Sequence, residues 1–160
     1  MRNSLYIAGR LWLVKSFQIP IMRLGNTTKY AFESLAYLIR TYARDEWAQI
    51  VDIAAASGIP RKYLEQVLLD LKTGGILESK KGQGGGYRLS RSPDAISIGQ
   101  VLGAIQGELL PLPEWLGEEN AAFSTDSGLG DVVRQARDTV RRLFEQTSIE
   151  VLVCRAETWV

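Results

Sequence analysis

The sequence predicts a mainly α-helical chain with one small β-hairpin: a head of short helices and the hairpin, then a long helix that pairs with a second copy. Three observations carry this prediction. Apolar residues recur at spacings of three and four in several separate stretches, two short alternating segments flank a glycine-dense loop, and residues 129–147 hold a sustained apolar seam. With 160 residues, 46% apolar and 23% charged, the chain can bury a core and does not have the composition of a disordered one.

Residues 28–43 place Ala31, Leu35, Leu38 and Tyr42 on one helical face, with Thr27 or Thr28 expected to cap it. Asp45-Glu46 marks a loop. A short Ala-rich helix follows over residues 50–56 and ends at Ser57-Gly58. Pro60 suits the first position of a third helix, where its missing N–H would have no partner anyway. That helix runs to about Lys72, with Leu64, Val67, Leu68 and Leu71 as its buried stripe and Thr73-Gly74-Gly75 as its stop.

The segments Ile76-Leu77-Glu78-Ser79-Lys80 and Tyr87-Arg88-Leu89-Ser90 alternate on either side of Lys81-Gly82-Gln83-Gly84-Gly85-Gly86, which predicts a hairpin. Ser92-Pro93 breaks the chain. Ser97 and Gln100 form an S-x-x-Q capping box ahead of Val101, Leu102 and Ile105, so another short helix starts there. Residues 106–127 have no clear period and read as a loop with one helical turn. Leu129, Val133, Ala136, Val140, Leu143 and Thr147 then repeat at 4, 3, 4, 3 and 4, the seam of a two-stranded coil, widened by Val132 and Phe144. Thr147 with Glu150 forms a second capping box before a short helix through Val151, Leu152 and Val153.

What is missing is as informative as what is present. The chain has no histidine, the commonest general base and metal ligand. Its lone cysteine, Cys154, excludes an internal disulfide, a Cys-rich zinc site and an all-cysteine iron–sulfur site within one chain. No catalytic and no metal-binding residue is assigned. No apolar run reaches about 18 residues, so no spanning helix is expected. Residues 5–21 are apolar but are broken by Gly9, Arg10, Lys15, Ser16 and Gln18, which defeats a secretory signal. We read residues 1–21 as an extension ahead of an alternative start at Met22, with no membrane partner.

The net charge of +1 hides an asymmetry: residues 1–91 carry 14 basic and 7 acidic side chains, residues 92–160 carry 5 and 11. The first part suits a polyanion. Its helices supply the means. A helix-turn-helix needs a small residue where two helices cross, a Gly in the turn and apolar anchors on the second helix; Ala54, Gly58 and then Ile59, Leu64 and Val67 meet that pattern. With the buried stripe inward, Arg61, Lys62, Glu65 and Gln66 face outward in the first turns of the third helix, where a recognition helix meets base edges. Gln can pair with adenine and Lys or Arg with guanine, while Glu65 either orients Arg61 or accepts from cytosine. Lys80, Lys81, Arg88 and Arg91 surround the glycine loop, whose Gly84 and Gly85 allow close backbone approach to a groove or phosphate. The architecture is therefore a winged helix-turn-helix on double-stranded DNA. A nucleotide-phosphate loop would need a helix after the glycines, and a strand pattern follows instead.

Met22-Arg23-Leu24, Lys29-Tyr30-Ala31, Ile53-Ala54, Tyr63-Leu64-Glu65-Gln66, Gly82-x-Gly84-Gly85-Gly86-Tyr87 and Ile98-Gly99 together resemble the Rrf2 family of bacterial winged-helix regulators, which includes the repressors IscR, NsrR and CymR. The resemblance covers residues 22–107 closely and 128–155 in outline. It implies a cytoplasmic homodimer joined by its long C-terminal helix, here through Leu129, Val133, Ala136, Val140, Leu143 and Phe144, on an inverted-repeat operator. It implies DNA contacts at Lys29, Tyr30, Lys62, Gln66 and Lys81. Pro60 also falls on a recognition position, but replaces a hydroxyl-bearing residue of some members.

The division it suggests is an extension (1–21), a DNA-binding head (22–91), a short helix with a sensor-type loop (92–127) and a dimerisation region (128–160). Cluster-binding members carry three cysteines in the sensor loop. This chain has Trp115, Phe123, prolines and acids there, and no Cys or His, so it is expected to lack the iron–sulfur cofactor. A protein or small-molecule effector is expected at residues 106–127, and Cys154 is expected to be a packing residue. The sequence-level rival is a winged helix serving as a protein-interaction module, regulated by a partner enzyme or small ligand. An enzyme has no support beyond the glycine loop.

Overall fold

The computed structural model describes residues 24–107 and 128–154. The expected extension at 1–21 and the expected effector segment, apart from Gln106 and Gly107, lie outside the described residues. Helix α1 (Asn26–Tyr42) buries Ala31, Leu35 and Leu38 completely. Its N-cap is Gly25 with no side-chain capping bond, so neither Thr27 nor Thr28 caps it. Thr28 lies inside the helix, buried, and its hydroxyl accepts from the Gln106 side-chain amide. That long-range partner has displaced the local one.

Helix α2 (Ile50–Ser57) ends at Gly58 in the left-handed conformation, φ 67°, where a side chain would be strained. Helix α3 (Arg61–Thr73) starts one residue later than expected, with Pro60 as its N-cap at φ −59° and ψ 131°. An extended ψ at Pro60 lets its carbonyl accept the first helical bonds, from Tyr63 and Leu64. Leu64, Val67, Leu68 and Leu71 are buried as the period requires. α1, α2 and α3 pack on one another around Leu35, Leu38, Ile53, Ile59 and Leu64.

Strands β1 (Leu77–Lys80) and β2 (Gly86–Leu89) pair antiparallel, with Leu77 opposite Leu89, Glu78 opposite Arg88, Ser79 opposite Tyr87 and Lys80 opposite Gly86. Leu77 and Leu89 anchor the base of the hairpin in the core. A bridge adds a third strand-like segment: Ala48 and Tyr87 exchange backbone bonds of 2.9 and 2.8 Å. After a 3-10 turn at Pro93–Ala95, helix α4 (Ile98–Gln106) carries the expected box, with Ser97 Oγ accepting from the Gln100 N–H and Gln100 Oε1 accepting from the Ser97 N–H. Gly74 lets the end of α3 meet α4, since a Cβ there would lie 2.5 Å from that of Ala104.

Helix α5 (Gly128–Gln146) packs on α4, and α6 (Val151–Cys154) packs on α1. The second expected capping box does not form. Thr147 instead donates its hydroxyl to the Leu143 carbonyl, closing the end of α5, while its own carbonyl accepts from Ile98 N–H at 2.8 Å. Ile149, completely buried, completes the tie by donating to Ile96 O. No helix among the described residues is long and apolar enough to cross a membrane.

Candidate nucleic-acid interface

The buried stripe of α3 fixes what its other side presents. Arg61, Lys62, Glu65 and Gln66 are all exposed, over the first two turns, as expected. Arg61 Nε donates to Glu65 Oε1 at 3.2 Å, so Glu65 orients Arg61 rather than standing free for a base. Gln66 Nε2 donates to Asp70 Oδ1 at 2.7 Å. Holding the amide by its nitrogen leaves its carbonyl oxygen and second N–H available, the pair an adenine edge takes. Lys62 shares the Gln66 face and forms no ion pair among the described residues. Asp70 was not singled out by sequence, although its four-residue offset from Gln66 was the available signal.

At the N-terminal end of α1, Lys29 is exposed and forms a 3.6 Å pair with Glu33. Tyr30 is half-buried against the core, and its ring lies 6.2 Å from that of Tyr63, which is 56% exposed on α3. The two rings join the first turn of α1 to the recognition helix, so Lys29 borders the same face.

The hairpin divides the residues assigned to it. Lys80 and Lys81, at its outer end, are exposed and free of ion pairs among the described residues. Gly84 is exposed in the left-handed conformation with open space around its Cα. Gly85 is buried, and a Cβ there would meet the Lys80 carbonyl oxygen at 2.2 Å, so its bareness closes the hairpin rather than opening it to a ligand. Arg88 has its charge engaged by the chain's own groups: Nε donates to Glu78 at 2.5 Å, NH1 donates to Asp45 at 3.0 Å, and Cζ lies 4.4 Å from the centroid of the Trp47 ring. The hydrogen bond to Glu78, then the nearby negative charges of Glu78 and Asp45, push its pKa above the ordinary arginine value against the opposing effect of burial. Arg91 is likewise occupied, donating to the carbonyls of Gly75 and Ala95 and to Gln100. Asp45, Trp47 and Glu78 were not anticipated, since Asp45 lies 43 residues from its partner and no local pattern joins them.

On α5, Val133, Val140 and Phe144 are half-buried and Ala136 is exposed, while Val132 and Leu143 are 61% and 60% exposed. The side chains of Leu129 and Cys154 lie outside the described ones. An open cavity of about 310 Å³ between α4 and α5 is lined by Ser97, Gly99, Gln100, Gly103, Gly107, Arg141 and Glu145. Among the described residues no group of three or more His, Cys, Asp or Glu side chains could hold a metal ion.

The comparisons with known proteins agree with this geometry. A family model described as Rrf2, iron-dependent transcriptional regulator, matches residues 24–155. A Rrf2-like HTH-type transcriptional regulator of Rhodobacter capsulatus is 39% identical over 53% of this chain, which spans 58% of that relative. An HTH-type transcriptional regulator of Mycobacterium tuberculosis is 33% identical over 80% of this chain and 79% of its own length. Among solved structures, CymR, the global cysteine regulator of Bacillus subtilis, superposes with a TM-score of 0.70 at 24% identity, covering 84% of this chain and 98% of that one. With a helix-turn-helix, a wing and a family match across all the described residues, the chain belongs to the Rrf2 family of transcriptional regulators and is not an enzyme.

Proposed function

We propose that this chain acts in the cytoplasm as a homodimeric, sequence-specific repressor on an inverted-repeat operator. The observation that carries the reading is the polar face of α3: Arg61, Lys62, Glu65 and Gln66 stand exposed on a helix locked from behind by four buried apolar residues. Such a helix enters a major groove with its N-terminal turns toward the bases. Lys62 and Gln66 read base edges, whereas Lys29, Lys80 and Lys81 neutralise phosphates and supply most of the affinity.

Two copies joined along α5 present two such helices to half-sites about 34–36 Å apart on one side of a duplex. The apolar side chains on α5 that its own subunit leaves exposed support that pairing, and its 19 residues give a contact on the order of 28 Å long. Selection of bound duplexes from a random pool by the full chain tests the reading. A two-fold symmetric enriched site is expected, and no enrichment, or an asymmetric single half-site, overturns it.

The family model is described as iron-dependent, yet the residues of this chain do not fit a cysteine-ligated cluster. One cysteine and no histidine cannot supply three soft donors from one subunit. We therefore read the regulator as cluster-free, with its signal received at residues 106–127 as a small ligand or docked protein; Trp115 and Phe123 there suit an apolar contact. Purified protein is expected to be colourless in the visible range and free of sulfide. Stoichiometric iron and sulfide would reverse this conclusion.

A further inference from the structure

Arg88 joins three stretches that are distant in sequence. From β2 it reaches Glu78 on β1 at 2.5 Å and Asp45 in the turn after α1 at 3.0 Å, and it covers the face of Trp47 at 4.4 Å. Asp45 holds φ 54°, a left-handed conformation uncommon outside glycine, so the turn that offers this carboxylate is itself specialised. The backbone is fastened at the same place. Ala48 and Tyr87 exchange two hydrogen bonds, and Gly86 approaches Ala48 so closely that a Cβ would fall 2.2 Å from the Ala48 oxygen. Segment 45–48 leads directly into α2, so the hairpin is fixed to the helix that carries the turn and α3. Strands of four residues have little stiffness of their own. The direction of the tip therefore depends on this attachment.

The charges also oppose a direct contact. Two carboxylates share one guanidinium, and its side chain is only 33% exposed. A phosphate drawn to Arg88 would have to approach both acids at close range, against their like charge.

Resting on the DNA-binding reading above, we propose that Arg88 is a positioning residue. Clasped by Glu78, Asp45 and Trp47, it sets the angle of the wing to the recognition helix, so that Lys80 and Lys81 meet the duplex when α3 occupies its groove. A planar fork can serve two carboxylates and stack on a ring at once; a lysine ammonium in that place cannot.

The test uses the full chain and the duplex that wild-type protein selects from a random pool. Affinity and its salt dependence are measured for Lys81→Ala, Arg88→Met, Arg88→Lys and the Lys81→Ala/Arg88→Met double variant. Lys81→Ala is expected to weaken binding and lower the salt slope by about one. Arg88→Met is expected to lose at least as much affinity and salt slope without touching DNA, since Lys80 and Lys81 both depend on it, and the double variant to fall no more than about twofold below the weaker single one, because Arg88→Met has already lost the Lys81 contact.

Arg88→Lys is expected to behave like Arg88→Met; recovery of wild-type affinity would mean that Arg88 is a plain phosphate cation, and would overturn the proposal. So would losses that multiply. If Lys81→Ala leaves affinity unchanged, the wing's contact with DNA falls, and the positioning role falls with it. Multiplying losses with an effective Lys81→Ala reject the positioning role alone. Amide hydrogen exchange supplies the second readout. In Arg88→Met the Ala48 and Tyr87 amides are expected to lose protection while those of Leu68 and Leu71 keep it. Loss at all four would mark Arg88 as a general support of the fold and reject the proposal.

Discussion

Gln66 and Gly86 show how differently single residues earn their place. Gln66 is exposed and, among the described residues, hydrogen-bonds through its side chain to Asp70, so its replacement is expected to leave the fold intact and alter what the surface reads. Gln66→Ala is expected to relax preference at one base pair of the selected site by about 1–3 kcal/mol, with binding to random duplex unchanged. Competition titrations against single-base variants of that site measure it, and equal losses on selected and random DNA would reject the assignment. Gly86 is the reverse case. It combines φ 155° with a 2.2 Å approach of any added Cβ to the Ala48 carbonyl oxygen, and the three nearest atoms are all backbone. Gly86→Ala is expected to cost about 1–3 kcal/mol of stability from the strained backbone alone, read from a denaturant midpoint. Runs of glycine suggest a flexible approach to a ligand, yet here Gly85 and Gly86 serve closures inside the head, and Gly82 and Gly84 are the ones with open space beside them in the hairpin tip.

At the level of elements, local signals worked where the partner is local. The buried faces of α1 and α3, the left-handed stop at Gly58 and the Ser97–Gln100 box are legible because each depends on residues within one or two helical turns. Ser97→Ala removes the acceptor for the Gln100 N–H and is expected to destabilise the chain by about 0.5–2 kcal/mol. A thermal melt measures it, and no shift would mean that the backbone ties of Ile98 and Ile149 alone hold the start of α4. The two caps that did not form share a cause. Thr28 and Thr147 have hydroxyls of the right kind, but Thr28 is claimed by Gln106 and Thr147 by the last turn of α5. A threonine near a helix end has several partners within reach, and packing chooses among them.

Across the whole molecule, the question is what covers α5. Its seam was read from a repeat of four and three, and one subunit leaves Val132 and Leu143 more than half exposed. On the dimeric reading proposed above, a second copy in the same arrangement covers that apolar surface. Leu143→Glu is expected to convert a dimer into monomers in sedimentation experiments at micromolar concentration, and to abolish the preference for a two-half-site duplex over a single half-site. A variant that stays dimeric would place the subunit contact elsewhere. The distribution of charge belongs to the same scale: residues 1–91 are basic on balance and residues 92–160 acidic, so a nearly neutral chain has two parts of opposite sign, and the basic part suits the proposed polyanionic partner.

Periodicity, turn residues and residue counts were enough to establish helices around a hairpin, the outward side of α3, the long helix α5 and the shortage of thiol and imidazole donors. All of these follow from spacing along the chain or from composition. The role of Arg88 could not be read that way. Its alternation in β2 and its position near a glycine loop were compatible with a free cation, and only the folded chain brings Asp45, Trp47 and Glu78 around it. A positive side chain goes to whichever negative group the packing places nearest, and that choice is made by contacts tens of residues apart, where sequence spacing carries no information.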